Sequence, residues 1–159
     1  QAFFQDPSNR DPRYARTTLK TVLANLAAEG LGREELLRLG RRAARADEAL
    51  RAYVEGLRAS LAPLVENESF ECATGPLRSV PMEALLRILE AEIARIGDAA
   101  PRLDRLENLT TEVAAAIARG APFRASLAGT LVCVTPAERL LVVKAPPRRR
   151  KLAERSPEA

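Results

Sequence analysis

The hydrophobic period of this chain changes at Gly120, and that change limits what the chain can become. Upstream, apolar residues recur every three or four positions; downstream they come in short runs rich in Val, Leu and Thr. The first spacing buries one face of a helix, and the second suits a strand. Residues 123–127, 130–134 and 140–143 read as three strands, with Ala128-Gly129 and Pro136-Ala137-Glu138 as the turns between them. The expected fold is therefore mainly α: a helical bundle of about four helices closed by a small antiparallel β meander.

The helical part divides at its breakers. Asp11-Pro12 reads as an N-cap followed by proline at the first helical position. The helix it opens, over residues 11–29, turns Ala15, Leu19, Val22, Leu23 and Leu26 inward and stops at Gly30. A second and longest helix is expected over residues 33–64, with Leu36, Leu39, Ala43, Ala46, Leu50, Tyr53 and Leu57 as a heptad-like seam that needs another helix against it. Pro63 ends or kinks it. In the connector that follows, residues 69–73 read as a short edge strand before Gly75-Pro76. Pro81 opens a third helix reaching residue 96, with Leu85, Ile88, Leu89, Ile93 and Ile96 inside. A fourth spans residues 101–119, with Leu103, Leu106, Thr110, Val113 and Ile117 as its seam.

Two stripes of cations lie off these apolar faces. Asp6, Ser8 and Asn9 can bond nearby backbone N–H groups, so residues 5–10 fold as a polar turn ahead of the first helix. Arg13, Arg16 and Lys20 then fall at i, i+3 and i+7 on one face. On the second helix Arg38, Arg41, Arg42 and Arg45 form another stripe. Glu34 is placed to pair with Arg38 and Asp47 with Arg51, whereas Arg41 and Arg42 have no acid four residues away. Net charge is +4, and 22 of the 25 cations are arginine. Arginine binds phosphate with two parallel hydrogen bonds, which suits nucleic acid. Codon bias in a GC-rich genome would also raise the arginine count, so position carries more weight than number. Each stripe reads either as a solvated face or as a phosphate-contacting ridge. Aromatic residues are only 4% of the chain, so no stacking platform for bases is visible, and shape and phosphate contacts are the mode of RNA recognition left.

Other chemistry is harder to find. The chain has no histidine, and Cys72 and Cys133 stand alone, so zinc sites and histidine-dependent triads are excluded in their usual forms. Isolated cysteines without a secretory signal point to free thiols in a cytoplasmic setting. No apolar run is long enough for a membrane span. There is no G-x-x-x-x-G-K-[ST] loop, no two glycines are adjacent, and no carboxylate pair stands out as acid and base. Catalysis by this chain alone is not expected, and no metal or cofactor is expected to bind it. Residues 146–159, with the run Arg148-Arg149-Arg150-Lys151, read as a disordered basic tail.

The basic stripe of the first helix sits in a motif. Asp6-Pro7-Ser8-Asn9, then Arg16 and Lys20 four residues apart, resembles the D-x-S-N … R-N-x-x-R signature that ends the ATP domain of tRNA(Ile)-lysidine synthetases. Thr17 replaces the family's asparagine, and Lys20 its second arginine. The resemblance continues. Ala27-Ala28-Glu29-Gly30-Leu31, with Leu36 through Leu50, is similar to the helical linker that follows in alphaproteobacterial-type members. Pro101-Arg102-Leu103-Asp104-Arg105-Leu106 is similar to a P-R-L-x-R-L segment. Phe123-Arg124-Ala125-Ser126-Leu127-Ala128-Gly129 is similar to an F-x-x-T-L-G-G strand, with Ser126 for Thr and Ala128 for the first Gly.

The resemblance implies a function. The full enzyme uses ATP, with magnesium, to adenylate the C2 oxygen of the wobble cytidine in an isoleucine tRNA bearing a CAU anticodon. The amine of lysine then displaces AMP and leaves lysidine. The family's S-G-G-x-D-S loop for ATP is not in this sequence. The chain, which begins at Gln1 with Phe3-Phe4 close behind, is therefore expected to be a piece of a longer ligase that follows the ATP domain. Residues 1–30 would be a linker turn and first helix, residues 31–145 a tRNA-binding domain ending in the meander, and residues 146–159 the tail. The tRNA contacts expected are Arg13, Arg16, Lys20, Arg38, Arg41, Arg42 and Arg45; Asp6, Ser8 and Asn9 would orient the turn that delivers them or complete the active site of the ATP domain. The competing reading is a helical protein-interaction or dimerisation module built on the seam from Leu36 to Leu57, as a homodimer. A DNA-binding domain lacks any compact helix-turn-helix spacing.

Overall fold

The computed structural model describes residues 15–66 and 68–146. Four α-helices, α1 (Ala15–Ala28), α2 (Arg33–Ser60), α3 (Met82–Ile96) and α4 (Leu103–Arg119), accompany five strands. The strands are β1 (Leu64–Glu66), β2 (Ser69–Ala73), β3 (Phe123–Leu127), β4 (Thr130–Val134) and β5 (Arg139–Lys144), and a 3-10 turn at Gly75–Ser79 follows β2. The protein is mainly α, and its last three strands form the expected meander. The chain divides into two compact units, Gln1–Leu50 and Arg51–Ala159.

The second unit holds the core. Its sheet is antiparallel throughout, in the order β1-β2-β5-β4-β3. Alternation sends Phe70 and Cys72 of β2, Val132 and Val134 of β4, and Leu140 and Val142 of β5 to one face, where all are buried. Helices α3 and α4 supply the opposing layer. Leu85, Ile88, Leu89, Ile93 and Ile96 recur at helical spacing on α3, and Leu106, Leu109, Val113 and Ile117 on α4, and all are buried. Val54 and Leu57, near the end of α2, pack against this core.

The sheet departs from expectation in extent. Residues 69–73 form a strand, but an interior one: β2 lies between β1 and β5, with Phe70 opposite Val142 and Cys72 opposite Leu140. Helix α2 stops at Ser60 rather than at residue 64. Ala62 adopts a left-handed backbone (φ 42) and Pro63 follows it, so Leu64–Glu66 is released to pair with β2 as an edge strand.

The connector between α3 and α4 is clamped to the β3–β4 turn. Asp98 N–H donates to Ala128 O at 2.9 Å, and Ala145 N–H to Gly129 O at 2.8 Å. The approach is so close that a Cβ on Gly97 would collide with the carbonyl oxygen of Ala128, and one on Gly129 with the carboxylate of Asp98. Lys144 donates to that carboxylate. The end of β5, the turn and the connector are thus one polar knot.

The first unit, α1 with the first half of α2, is built differently. None of its described side chains is buried. Leu23, Ala24, Ala27, Leu31, Leu36 and Leu37 line an apolar hollow of about 570 Å³. Leu19, Val22 and Leu23, expected inside, are exposed, as are Leu37 and Leu39. Residues of the two helices meet around that hollow without closing it, which leaves both apolar stripes largely in water. The seam expected along α2 is covered only at its end, where Leu57 meets the core; Leu39 and Tyr53 are 62% and 47% exposed. On α4 the expected seam is buried from Leu106 through Thr110 and Val113 to Ile117, against α3, β3 and β4, whereas Leu103, expected inside, is 61% exposed at the first turn.

Candidate nucleic-acid interface

Arg38, Arg41, Arg42 and Arg45 lie on α2 at i, i+3, i+4 and i+7, so the helix sets them on one face over about 10 Å of its axis. All four are exposed. Among the described residues none of them has an ion-pair or hydrogen-bond partner for its side chain, and Glu34 does not pair with Arg38. Four guanidinium forks with no acceptor among the described residues form a surface that an anionic polymer can neutralise.

The other expected contacts are less fully placed. Arg16 and Lys20 belong to α1, four residues apart and so on one face of its backbone. Asp6, Ser8, Asn9, Arg13 and the basic run Arg148 to Lys151 lie outside the described residues.

A second cationic surface, not expected from the sequence, lies in the second unit. A cleft of about 850 Å³ is lined by Asp98, Arg105, Arg124, Ser126, Gly129 and Thr130, with Ala145 and Pro146 at the end of β5. Arg105 and Arg124 are exposed and have no ion-pair or side-chain hydrogen-bond partner among the described residues. Asp98, the one acid of the lining, is held by Lys144. Strand alternation was the available signal: it sends Arg124 and Ser126 to the side of β3 away from the core. Their meeting with Arg105, 19 positions earlier, depends on how α4 lies against β3, which local patterning does not carry.

A buried ionic cluster in the second unit is structural. Glu92 of α3 is buried and accepts from Arg58 Nε and Arg95 Nε, each at 2.8 Å. Arg95 also donates to the carbonyls of Glu66 and Ser69, and the Arg58 guanidinium sits 6.0 Å from the centre of the Phe70 ring. Burial pushes the Cys72 thiol up to about 11; nearby Arg139 opposes this, and Glu71 and Glu92 add to it. A thiol so protonated is a poor nucleophile. Among the described residues no three Cys, Asp or Glu side chains group as a metal site, and no helix is long and apolar enough to cross a membrane.

A mainly α protein with an antiparallel sheet and unpartnered arginine surfaces is the class that fold and site define. Sequence comparison narrows it. The chain is 36% identical over 156 residues to a tRNA(Ile)-lysidine synthase of Rhodopseudomonas palustris, covering 93% of this chain and 45% of the relative. It is 42% identical over 154 residues to the tRNA(Ile)-lysidine synthase of Methylobacterium sp. strain 4-46, covering 93% and 44%, and 31% identical over 167 residues to that of Bradyrhizobium sp. strain BTAi1, covering 94% and 46%. The chain belongs to the tRNA(Ile)-lysidine synthase family. It spans less than half the length of the curated relatives it matches. No family model and no solved structure matches it.

Proposed function

We propose that this chain is the part of a tRNA(Ile)-lysidine synthase that holds the tRNA. The whole enzyme would ligate lysine to C2 of the wobble cytidine of an isoleucine tRNA with a CAU anticodon, at the expense of ATP. In this reading ATP, magnesium and lysine are handled by the part of the relatives that the chain does not cover, since S-G-G-x-D-S is absent from its 159 residues. The chain follows that part and does no chemistry by itself. The observation that carries the reading is the stripe of Arg38, Arg41, Arg42 and Arg45, exposed and without acceptors among the described residues on a chain of this family. Arg13, Arg16 and Lys20, beside Asp6, Ser8 and Asn9, would extend that surface along the first helix.

The test is filter binding of the full chain to an unmodified tRNA(Ile) transcript with a CAU anticodon, over a range of salt. Each phosphate neutralised contributes about −0.7 to −0.9 to the slope of log K against log salt, so four contacts give roughly −3. The quadruple variant R38Q/R41Q/R42Q/R45Q should bind more weakly, with a slope shallower by roughly 3 than that of the unaltered chain. Binding that is absent at low salt, or indifferent to salt, would sink the proposal. The exposed Leu37, Leu39 and Tyr53 favour a second reading, a helical interaction or dimerisation module. A dimeric mass in the same solutions, with no RNA binding, would select it.

A further inference from the structure

We infer that the cleft between the start of α4 and the β3–β4 hairpin is a second contact for the RNA backbone, with Arg105 and Arg124 as its phosphate ligands. The inference rests on the tRNA-binding reading and adds to it a site on a different unit from the α2 stripe. Three observations carry it. The cleft brings together two arginines from separate elements, α4 and β3, and neither has an acceptor among the described residues. Its only acid, Asp98, is neutralised by Lys144, so the surface keeps two uncompensated positive charges. Finally, β3 is one of the two edge strands of the sheet. In an antiparallel ladder closed by the two-residue turn Ala128-Gly129, Leu127, Ala125 and Phe123 exchange bonds with β4. Arg124 and Ser126 therefore turn their N–H groups to the open edge, where they can donate to phosphate oxygens together with the guanidinium forks and the Ser126 hydroxyl.

The path of the strand follows from the acids nearby. The neighbouring groove along α4 shares Arg105 and Ser126 with the cleft and adds two acids, Asp104, already paired with Arg102, and Glu112. Glu112 repels a polyanion running along α4, so the backbone is directed along β3 toward Arg124 and away from that groove. The cleft, at about 850 Å³, is open enough for a length of backbone, whereas a pocket for one small anion closes around it.

The experiment uses the full chain, the same tRNA transcript and the variant R105Q/R124Q. The salt slope should become shallower by about 1.5 to 2 relative to the unaltered chain, one contact for each arginine. R105K/R124K, which keeps both charges, should retain most of it. In the unaltered chain, bound tRNA should protect Arg105 and Arg124 from phenylglyoxal, read by mass spectrometry; this decides the matter even if the glutamine variant folds poorly. Wild-type affinity and slope in R105Q/R124Q, or no protection by tRNA, overturns the site and leaves the α2 stripe standing. Protection by inorganic phosphate or ATP equal to that by tRNA also overturns it, as a small-anion pocket. If the unaltered chain binds no tRNA at all, the function itself has failed, and the cleft with it.

Discussion

Ala128 stands where a side chain is least welcome. It and Gly129 fill the two central places of the β3–β4 turn with φ of 49° and 83°, the left-handed pair that fits the twist of a two-residue hairpin. Glycine or asparagine adopts this conformation readily, whereas an alanine there costs about 1 kcal/mol. Ala128→Gly should therefore raise the urea midpoint by the equivalent of about 0.5–1 kcal/mol, with the m-value unchanged; a fall in the midpoint would show that the alanine methyl contributes more by packing than it costs in backbone strain. Gly129→Ala should do the opposite, and by more, on the order of 2–3 kcal/mol. Its Cβ meets the Asp98 carboxylate and so breaks the knot with Lys144. The turn itself is legible in the sequence as Ala128-Gly129 between two strand-like runs. That the connector after α3 packs into it is not, because Asp98 is 31 positions away and nothing local marks the contact.

At the scale of elements, one carboxylate fastens several of them. Glu92 lies on the apolar face of α3, seven residues from Leu85 and four from Ile88, and is 2% exposed. It is tolerated there because Arg58 reaches it from α2 and Arg95 from the next turn of its own helix, and Arg95 goes on to bond the carbonyls at the β1–β2 turn. Removing one member of a wholly buried pair costs about 3–5 kcal/mol. Here the Arg58 and Arg95 side chains are 39% and 33% exposed and keep part of their hydration, so Glu92→Gln should cost less, roughly 2 kcal/mol by denaturant unfolding. A cost under about 0.5 kcal/mol would mean that the clasp is ornamental.

Elements differ in how far the sequence discloses them. Helices α3 and α4 and the meander were legible almost to the residue, because each buries one face in a single nearby layer and its period reports that directly. The interior place of β2 was not, since it pairs residues 69–73 with 139–143, and register over that separation leaves no local trace. The seam of α2 misled for a related reason: periodicity shows that a helix has an apolar side, not that something within the chain covers it. The stripe Arg38 to Arg45 could be read from spacing alone, whereas the meeting of Arg105 with Arg124 needed the packing of α4 on the sheet.

The whole molecule is uneven in where its stability lies. Every buried apolar residue among those described falls at Leu61 or later, so the hydrophobic stabilisation is concentrated in the second unit. The first unit has α1, 14 residues long, and the opening turns of α2, with Leu19, Val22, Leu37 and Leu39 still in water. Isolated helices of that length are marginal, because nucleation is costly and only tertiary packing repays it. Native-state hydrogen exchange on the free chain should show this division. Amides of α3, α4 and the central strands should open only with global unfolding, while those of α1 and residues 33–45 of α2 exchange at least a hundred-fold faster. Adding the tRNA transcript should slow exchange along α2 around Arg38 to Arg45, since ligand bound to the folded helix stabilises it by mass action. Slow exchange in α1 and α2 without RNA, increasing with protein concentration, would instead mean that a second copy of the chain covers their apolar faces. Slow exchange independent of both RNA and concentration would mean that the two-helix unit is stable by itself, and that its exposed leucines stabilise it less than its backbone does.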